Sequence, residues 1–228
     1  MRLMLVALLA LTPLLAADSE QDRRLAQAEA LFSEVMASPD TGIPRELFQS
    51  ASCIVIVPAR ETPAFAHFGK QGKGYLSCRL QAATGWSAPG AISIEGGAID
   101  LQIGTFSADM ILLVMNDQAA DKLLSTEFRL GTDASVAAGL VGRTVVDPTD
   151  AQQHAGVLSW SRLQALFTGF ALEGATLRQD LDANTKLYGK KVENRDIVTT
   201  DIGVPRAAVK LIVQLNRYVL PKREDADK

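Results

Sequence analysis

The segment Gly69-Lys70-Gln71-Gly72-Lys73-Gly74 sets two cations among three glycines. Glycines let backbone N–H groups turn toward an anion and the ammonium groups add charge, so the chemistry on offer is the holding of a phosphate. It lacks the Ser or Thr and the following helix of a nucleotide-binding loop, and reads equally as a hairpin with solvated lysines. Glu95, Asp100, Asp109 and Asp133 flank apolar stretches, and His67 and His154 stand alone. Carboxylates with neither a Ser or His partner nor a metal spacing give no acid–base assignment. The sequence holds no His-x-x-x-His, Cys-x-x-Cys, Gly-x-Ser-x-Gly or Gly-x-Gly-x-x-Gly element. The expectation is a protein that is not an enzyme, with no metal and no cofactor.

Cys53 and Cys78 lie in β-branched, apolar stretches 25 positions apart. In an oxidising compartment an even count favours a bridge, worth roughly 3 kcal/mol in the chain-entropy model, and two separately buried thiols are the alternative. Trp86 and Trp160 either line a ligand cleft or sit in the core with their N–H groups satisfied.

The elements that would position these residues follow from periodicity. Residues 20–38 carry Leu25, Ala28, Phe32, Val35 and Met36 at helical spacing, an amphipathic helix whose apolar face docks on the domain or seeks a membrane surface. Ile43–Ser50 reads as a short helix with Pro44 in its first turn. Strands are expected at Cys53–Val57, Ala64–Phe68, Gly74–Leu80, Ala91–Ile94, Ala98–Gly104 and Asp109–Met115. A helix capped by Asn116 and Asp117 runs through Leu124. Apolar, glycine-punctuated stretches at 133–142, 156–162 and 166–177 precede helices at Asp180–Tyr188 and Pro205–Tyr218. Gly96, Gly97, Gly104, Gly131, Gly139, Gly142, Gly169 and Gly174 punctuate the strands, as bulges, sharp bends and close backbone approaches do. The fold class expected is α+β: a strongly curved, mostly antiparallel sheet or partial barrel with N-terminal and C-terminal helices. It forms one domain over residues 20–220, followed by a charged tail at 221–228.

Residues 1–17 read as a signal peptide: Arg2, then an unbroken apolar run from Leu3 to Ala17 holding Pro13. At about 15 residues the run is shorter than the roughly 20 that span a bilayer as a helix. Cleavage is placed after Ala16 or Ala17, with an uncleaved anchor as the alternative, and no Cys stands at the junction to carry a lipid. The location expected is periplasmic or secreted. Of 228 residues, 47% are hydrophobic and 21% charged, which excludes a disordered chain. A net charge of -3 gives no bulk positive field, so nucleic acid is not an expected partner.

Several ordered runs go further. They include Ala51-Ser52-Cys53-Ile54-Val55-Ile56-Val57-Pro58, Gly72-Lys73-Gly74, Gly85-Trp86-Ser87-Ala88-Pro89, Glu95-Gly96-Gly97 and Gln102-Ile103-Gly104. Asp109–Asn116, Leu130–Gly139 and Leu187-Tyr188-Gly189 continue the series. Together, over residues 24–190, they resemble the SYLF domain family. The resemblance implies a lipid-binding domain. Eukaryotic members bind phosphoinositide membranes through an N-terminal amphipathic helix and basic residues, and some bind actin filaments; exported bacterial members are described as lipid-binding. By position, the helix at 22–37 and Lys70 and Lys73 match those roles; Leu25, Phe32 and Met36, with Lys70, Lys73 and Arg79, are the residues expected to meet lipid. The function expected is a non-enzymatic lipid- or membrane-binding protein of the bacterial cell envelope. Its apolar helix and strand faces would hold acyl chains or sit at the headgroup boundary. The other reading is a protein-interaction or scaffold module with an envelope protein as partner, actin binding entering only as a family property.

Overall fold

Ser19 opens the first helix, α1 (Glu20–Ala37): its Oγ accepts the Asp22 N–H at 3.1 Å, and its own N–H donates to the Asp22 carboxylate at 3.2 Å. This reciprocal cap satisfies two N–H groups at the helix start. The computed structural model describes residues 19–59, 72–80, 85–96, 109–142, 148–163, 166–169, 172–200 and 202–219. Leu25, Ala28, Leu31, Phe32, Val35 and Met36 form one stripe of α1 and all are buried. Pro39, which has no N–H to continue the ladder, follows the helix end. The chain then turns back so closely that a Cβ on Gly42 would lie 2.3 Å from the carbonyl oxygens of Val35 and Ser38. A short helix, α2 (Arg45–Ser50), leads into the sheet.

The strands are β1 (Cys53–Val57), β2 (Gly72–Cys78), β3 (Gly90–Glu95), β4 (Asp109–Val114), β5 (Glu127–Arg129), β6 (Val136–Ala138), β7 (Val157–Leu163), β8 (Leu166–Gly169) and β9 (Thr176–Gln179). Helix α3 (Asp117–Leu123) follows β4, capped by the Asn116 side chain, and α4 (Asp150–His154) precedes β7. After β9 come α5 (Leu181–Tyr188), α6 (Asn194–Thr199), a single 3-10 turn at Arg206–Ala208 and α7 (Val209–Arg217). The strand order is β5-β9-β3-β2-β1-β4-β7-β6, with β8 beside β7. Every pairing is antiparallel except β6 with β7.

This order cannot lie flat. The two end strands, β5 and β6, are separated in sequence only by Leu130–Ser135, and Leu130 is bridged to Ala134. Across a flat sheet the ends would be about 34 Å apart at roughly 4.8 Å per strand, whereas the link reaches at most about 24 Å. The sheet must curl into a half-barrel to bring its edges together.

Both faces of the central strands are buried. Ile54, Ile56, Tyr75, Ile111, Leu113, Leu158 and Trp160 pack under the apolar stripes of α1, α2 and α7. Cys53, Val55, Val57, Leu76, Ile92, Ile94, Met110 and Leu112 turn the other way and meet Phe128, Leu177, Ile197 and Val198. The strands β1 and β4 are therefore continuous apolar runs, as two-sided burial requires.

The α+β class, the curled sheet and the flanking helices are as the sequence predicts. The expected strands at 64–68 and 98–104, the segment 1–17 and the tail at 221–228 lie outside the described residues. Three elements are additional: β5, α4 and α6. Each has six residues or fewer, too few for a hydrophobic period to emerge. The two cysteines face each other across β1 and β2 and are bonded, with S–S 2.03 Å and both residues buried.

Candidate functional site

The residues expected to meet lipid do not share a surface. Leu25, Phe32 and Met36 are 1%, 0% and 8% exposed, so the apolar face of α1 is core and not a lipid-facing face. The Phe32 ring lies 5.2 Å from that of Phe48 and 5.8 Å, edge-on, from that of Tyr218. The reason is competition: the sheet face and α7 offer the helix an apolar partner within the chain. Burying a large apolar side chain there stabilises the fold by about 1.5–3 kcal/mol. The expectation that helix and strand faces hold acyl chains is corrected in the same way, since those faces are packed on one another.

Arg79 is equally occupied. Its Nη2 donates to the carbonyls of Phe48 at 3.2 Å and Gln49 at 3.3 Å, and its Nε to that of Ala51 at 3.4 Å. The Phe48 carbonyl also accepts the Ala51 N–H at 3.4 Å, so Arg79, just past the end of β2, adds to the cap at the end of α2. Burial alone holds its guanidinium below the usual arginine range.

Lys73 stands in β2 with its Nζ 2.7 Å from Asp180 Oδ2. Burial alone would raise the Asp180 carboxyl. The bond from Lys73, the Ala183 N–H and the charges of Lys73 and Arg24 outweigh burial and hold the carboxyl below its ordinary value. An open polar depression of about 300 Å³ adjoins this pair, lined by Ser93, Gln179, Leu181 and Asp182. Gly72 and Gly74 belong to β2, where a Cβ on Gly74 would meet the Ile56 carbonyl oxygen at 2.1 Å. Glycine is needed there for strand contact, and Lys70 lies outside the described residues.

Several other ionisable groups hold the fold. Beside Lys73, the Tyr75 hydroxyl donates to the Gln21 carbonyl at 3.2 Å. Burial pushes that phenol up to about 12; Arg24 opposes the shift and Asp180 and Asp22 add to it. Asp109 accepts from Arg162 and from the Ala59 N–H, while Arg162 also reaches Glu34 of α1. Glu95 and Glu127 both pair with Arg178, and Asp133 accepts the Arg129 N–H at 2.7 Å. Asp100 lies outside the described residues. Among the described residues no three His, Cys, Asp or Glu side chains gather as a metal would require. Trp160 is fully buried and donates to the Leu140 carbonyl at 2.8 Å, whereas Trp86, also buried, has no partner for its N–H among the described residues.

One surface was not anticipated. Leu211, Ile212 and Leu215 of α7 face the core, and the opposite side of the helix carries Val209, Lys210, Val213 and Arg217. The two valines are 45% and 55% exposed, and Val204, ahead of the helix, is 40% exposed. Arg206, Lys210 and Arg217 are exposed and have no ion-pair partner among the described residues. From Ile202 to Arg223 the sequence has Arg206, Lys210, Arg217, Lys222 and Arg223 and no Asp or Glu. That acid-free run is legible in the sequence; which side of the helix faces water is not. No helix among the described residues is long and apolar enough to cross a membrane.

Residues 95–218 match the model of the family described as Ysc84, Las17-binding protein actin regulator. An SH3 domain-containing protein of Schizosaccharomyces pombe is 31% identical over 181 residues, covering 78% of this chain and 41% of that protein. Protein YSC84 of Saccharomyces cerevisiae is 29% identical over 178 residues, covering 76% and 37%. SH3 domain-containing YSC84-like protein 1 of Homo sapiens is 27% identical over 190 residues, covering 82% and 55%. The chain thus spans about half the length, or less, of these relatives. With the family model covering more than half of the chain, this chain belongs to the Ysc84 family.

Proposed function

We propose that this chain is a non-enzymatic binding module that attaches to an anionic lipid membrane through its outer surface, on the outer side of the cytoplasmic membrane. The observation that carries the reading is the uneven charge. A chain of net charge -3 holds five cations and no acid between Ile202 and Arg223, and the cations described there are exposed, with no ion-pair partner among the described residues. A basic residue held at an anionic membrane surface gains about 1 kcal/mol, so a few in one place outweigh the diffuse repulsion of a weakly acidic protein at moderate salt. The apolar run at 1–17 supports export. The Cys53–Cys78 bond supports an oxidising compartment, periplasmic or extracellular. The family description names actin regulation and Las17 binding. For this chain a protein partner is the competing reading.

Flotation of the purified protein with vesicles tests the proposal. Recovery in the floating fraction with phosphatidylglycerol-containing vesicles, and not with pure phosphatidylcholine, is expected. No association with either vesicle would overturn it.

A further inference from the structure

We infer that α7 is the membrane contact: it lies in the plane of an anionic bilayer, with Val209 and Val213 at the headgroup boundary and Arg206, Lys210 and Arg217 on lipid phosphates. This rests on the membrane reading above and names the surface that performs it.

The geometry is that of a helix used on both sides. Val209 and Val213 are one turn apart, and Lys210 and Arg217 complete the same exposed side, so apolar and cationic groups share one face about 12 Å long at 1.5 Å per residue. The other side is fixed by Leu211, Ile212 and Leu215, each no more than 6% exposed, against α1 and the sheet. The contact therefore needs no unfolding. Valines are β-branched and stiff, so little side-chain freedom is lost when they settle at the boundary. Charge complementarity selects the occupant: three exposed cations with no ion-pair partner among the described residues call for an anionic surface. Apolar side chains between them favour one with an oily layer beneath the charge, which a bilayer has. The face commits the protein to shallow attachment, since two valines cannot hold it once the cations are screened.

The test uses the purified protein, vesicles with and without phosphatidylglycerol, and two double variants at exposed positions. Arg206→Glu with Lys210→Glu reverses charge near the helix start, where acidic residues suit the helix dipole and the fold survives. Val209→Ser with Val213→Ser removes the apolar contact. Each is expected to lower affinity for the anionic vesicles at least tenfold, with the melting curve unchanged. Parent binding is expected to fall steeply with added salt. Parent binding with both variants at parent affinity would overturn this inference and leave the membrane reading standing. Failure of the parent to bind overturns both. A parent that ignores vesicles yet sediments with actin filaments, and loses this in the charge-reversed variant, would assign the face to an acidic protein surface instead.

Discussion

The Arg79 guanidinium lies 4.2 Å from the ring centroid of Trp86, and Phe48 stacks on that indole at 5.1 Å. The cation is also within 5.6 Å of the Phe48 ring, and its nitrogens reach the carbonyls of Phe48, Gln49 and Ala51. A side chain so engaged has little left for a lipid phosphate. It ties the end of α2 to the end of β2.

Arg79→Met keeps the aliphatic stem and removes the donors. The carbonyls of Phe48, Gln49 and Ala51 lose the arginine bonds, and a loss of about 2 kcal/mol in urea unfolding is expected. Vesicle affinity is expected to stay at the parent value. A large loss of binding with parental stability would make Arg79 a headgroup ligand.

Asn184 and Asn194 together stand in for a missing strand. Asn184 Oδ1 accepts the Ala91 N–H at 2.8 Å, Asn194 Nδ2 donates to the Ala91 carbonyl at 3.0 Å, and Asn184 Nδ2 donates to Asn194 Oδ1 at 2.8 Å. Both residues are buried, 0% and 3% exposed. Asn184→Leu leaves the Ala91 N–H and the Asn194 amide oxygen without these partners in the interior, at a cost of roughly 2–4 kcal/mol. Chemical denaturation reads it. A change below measurement error would mean that water replaces the amide.

The Cys53–Cys78 bond predicts that protein denatured without reductant takes up no thiol label. Two labelled thiols per chain would contradict it. Changing both cysteines to alanine is expected to lower stability by about 3 kcal/mol, because the cross-link restricts the unfolded chain across a sequence separation of 25.

Tyr75 predicts the alkaline limit of the fold. Its folded pKa of about 12 exceeds the ordinary 10.0, so folding favours the protonated phenol. That contribution is complete below pH 10 and is lost as pH rises toward 12. Burial raises Tyr188 as well, in the same direction. Stability should therefore fall between pH 10 and 12, with a shallower fall in Tyr75→Phe. Equal slopes for the two proteins would remove Tyr75 from the titration.

Much of the fold was legible because its main elements carry long, consistent patterns. Cys-Ile-Val-Ile-Val and Met-Ile-Leu-Leu-Val declare strands buried on two sides, and the α1 stripe declares a helix with one apolar face. What such a stripe packs against is another matter. Leu25, Phe32 and Met36 have the same period whether they meet a bilayer or a sheet, and only the fold places α7 and Tyr218 there. Glu127-Phe128-Arg129 is a strand only because β9 pairs with it. The glycines were half legible. Gly139 was expected at a close approach, yet the sequence does not reveal that its absent side chain makes room for the Trp160 ring, 2.0 Å from a Cβ placed there. The part played by Arg79 was hidden because its carbonyl partners lie 28–31 positions away. The acid-free run at 202–223 was open to view, but its meaning depends on which side of α7 the core takes.

Amide hydrogen exchange with and without phosphatidylglycerol vesicles distinguishes a folded surface contact from a released helix. Protection confined to residues 203–219, with exchange across Glu20–Ala37 unchanged, is the expected result. Faster exchange in α1, or protection there with none in α7, would mean that the buried apolar stripe leaves the core to meet lipid and that the C-terminal face does not.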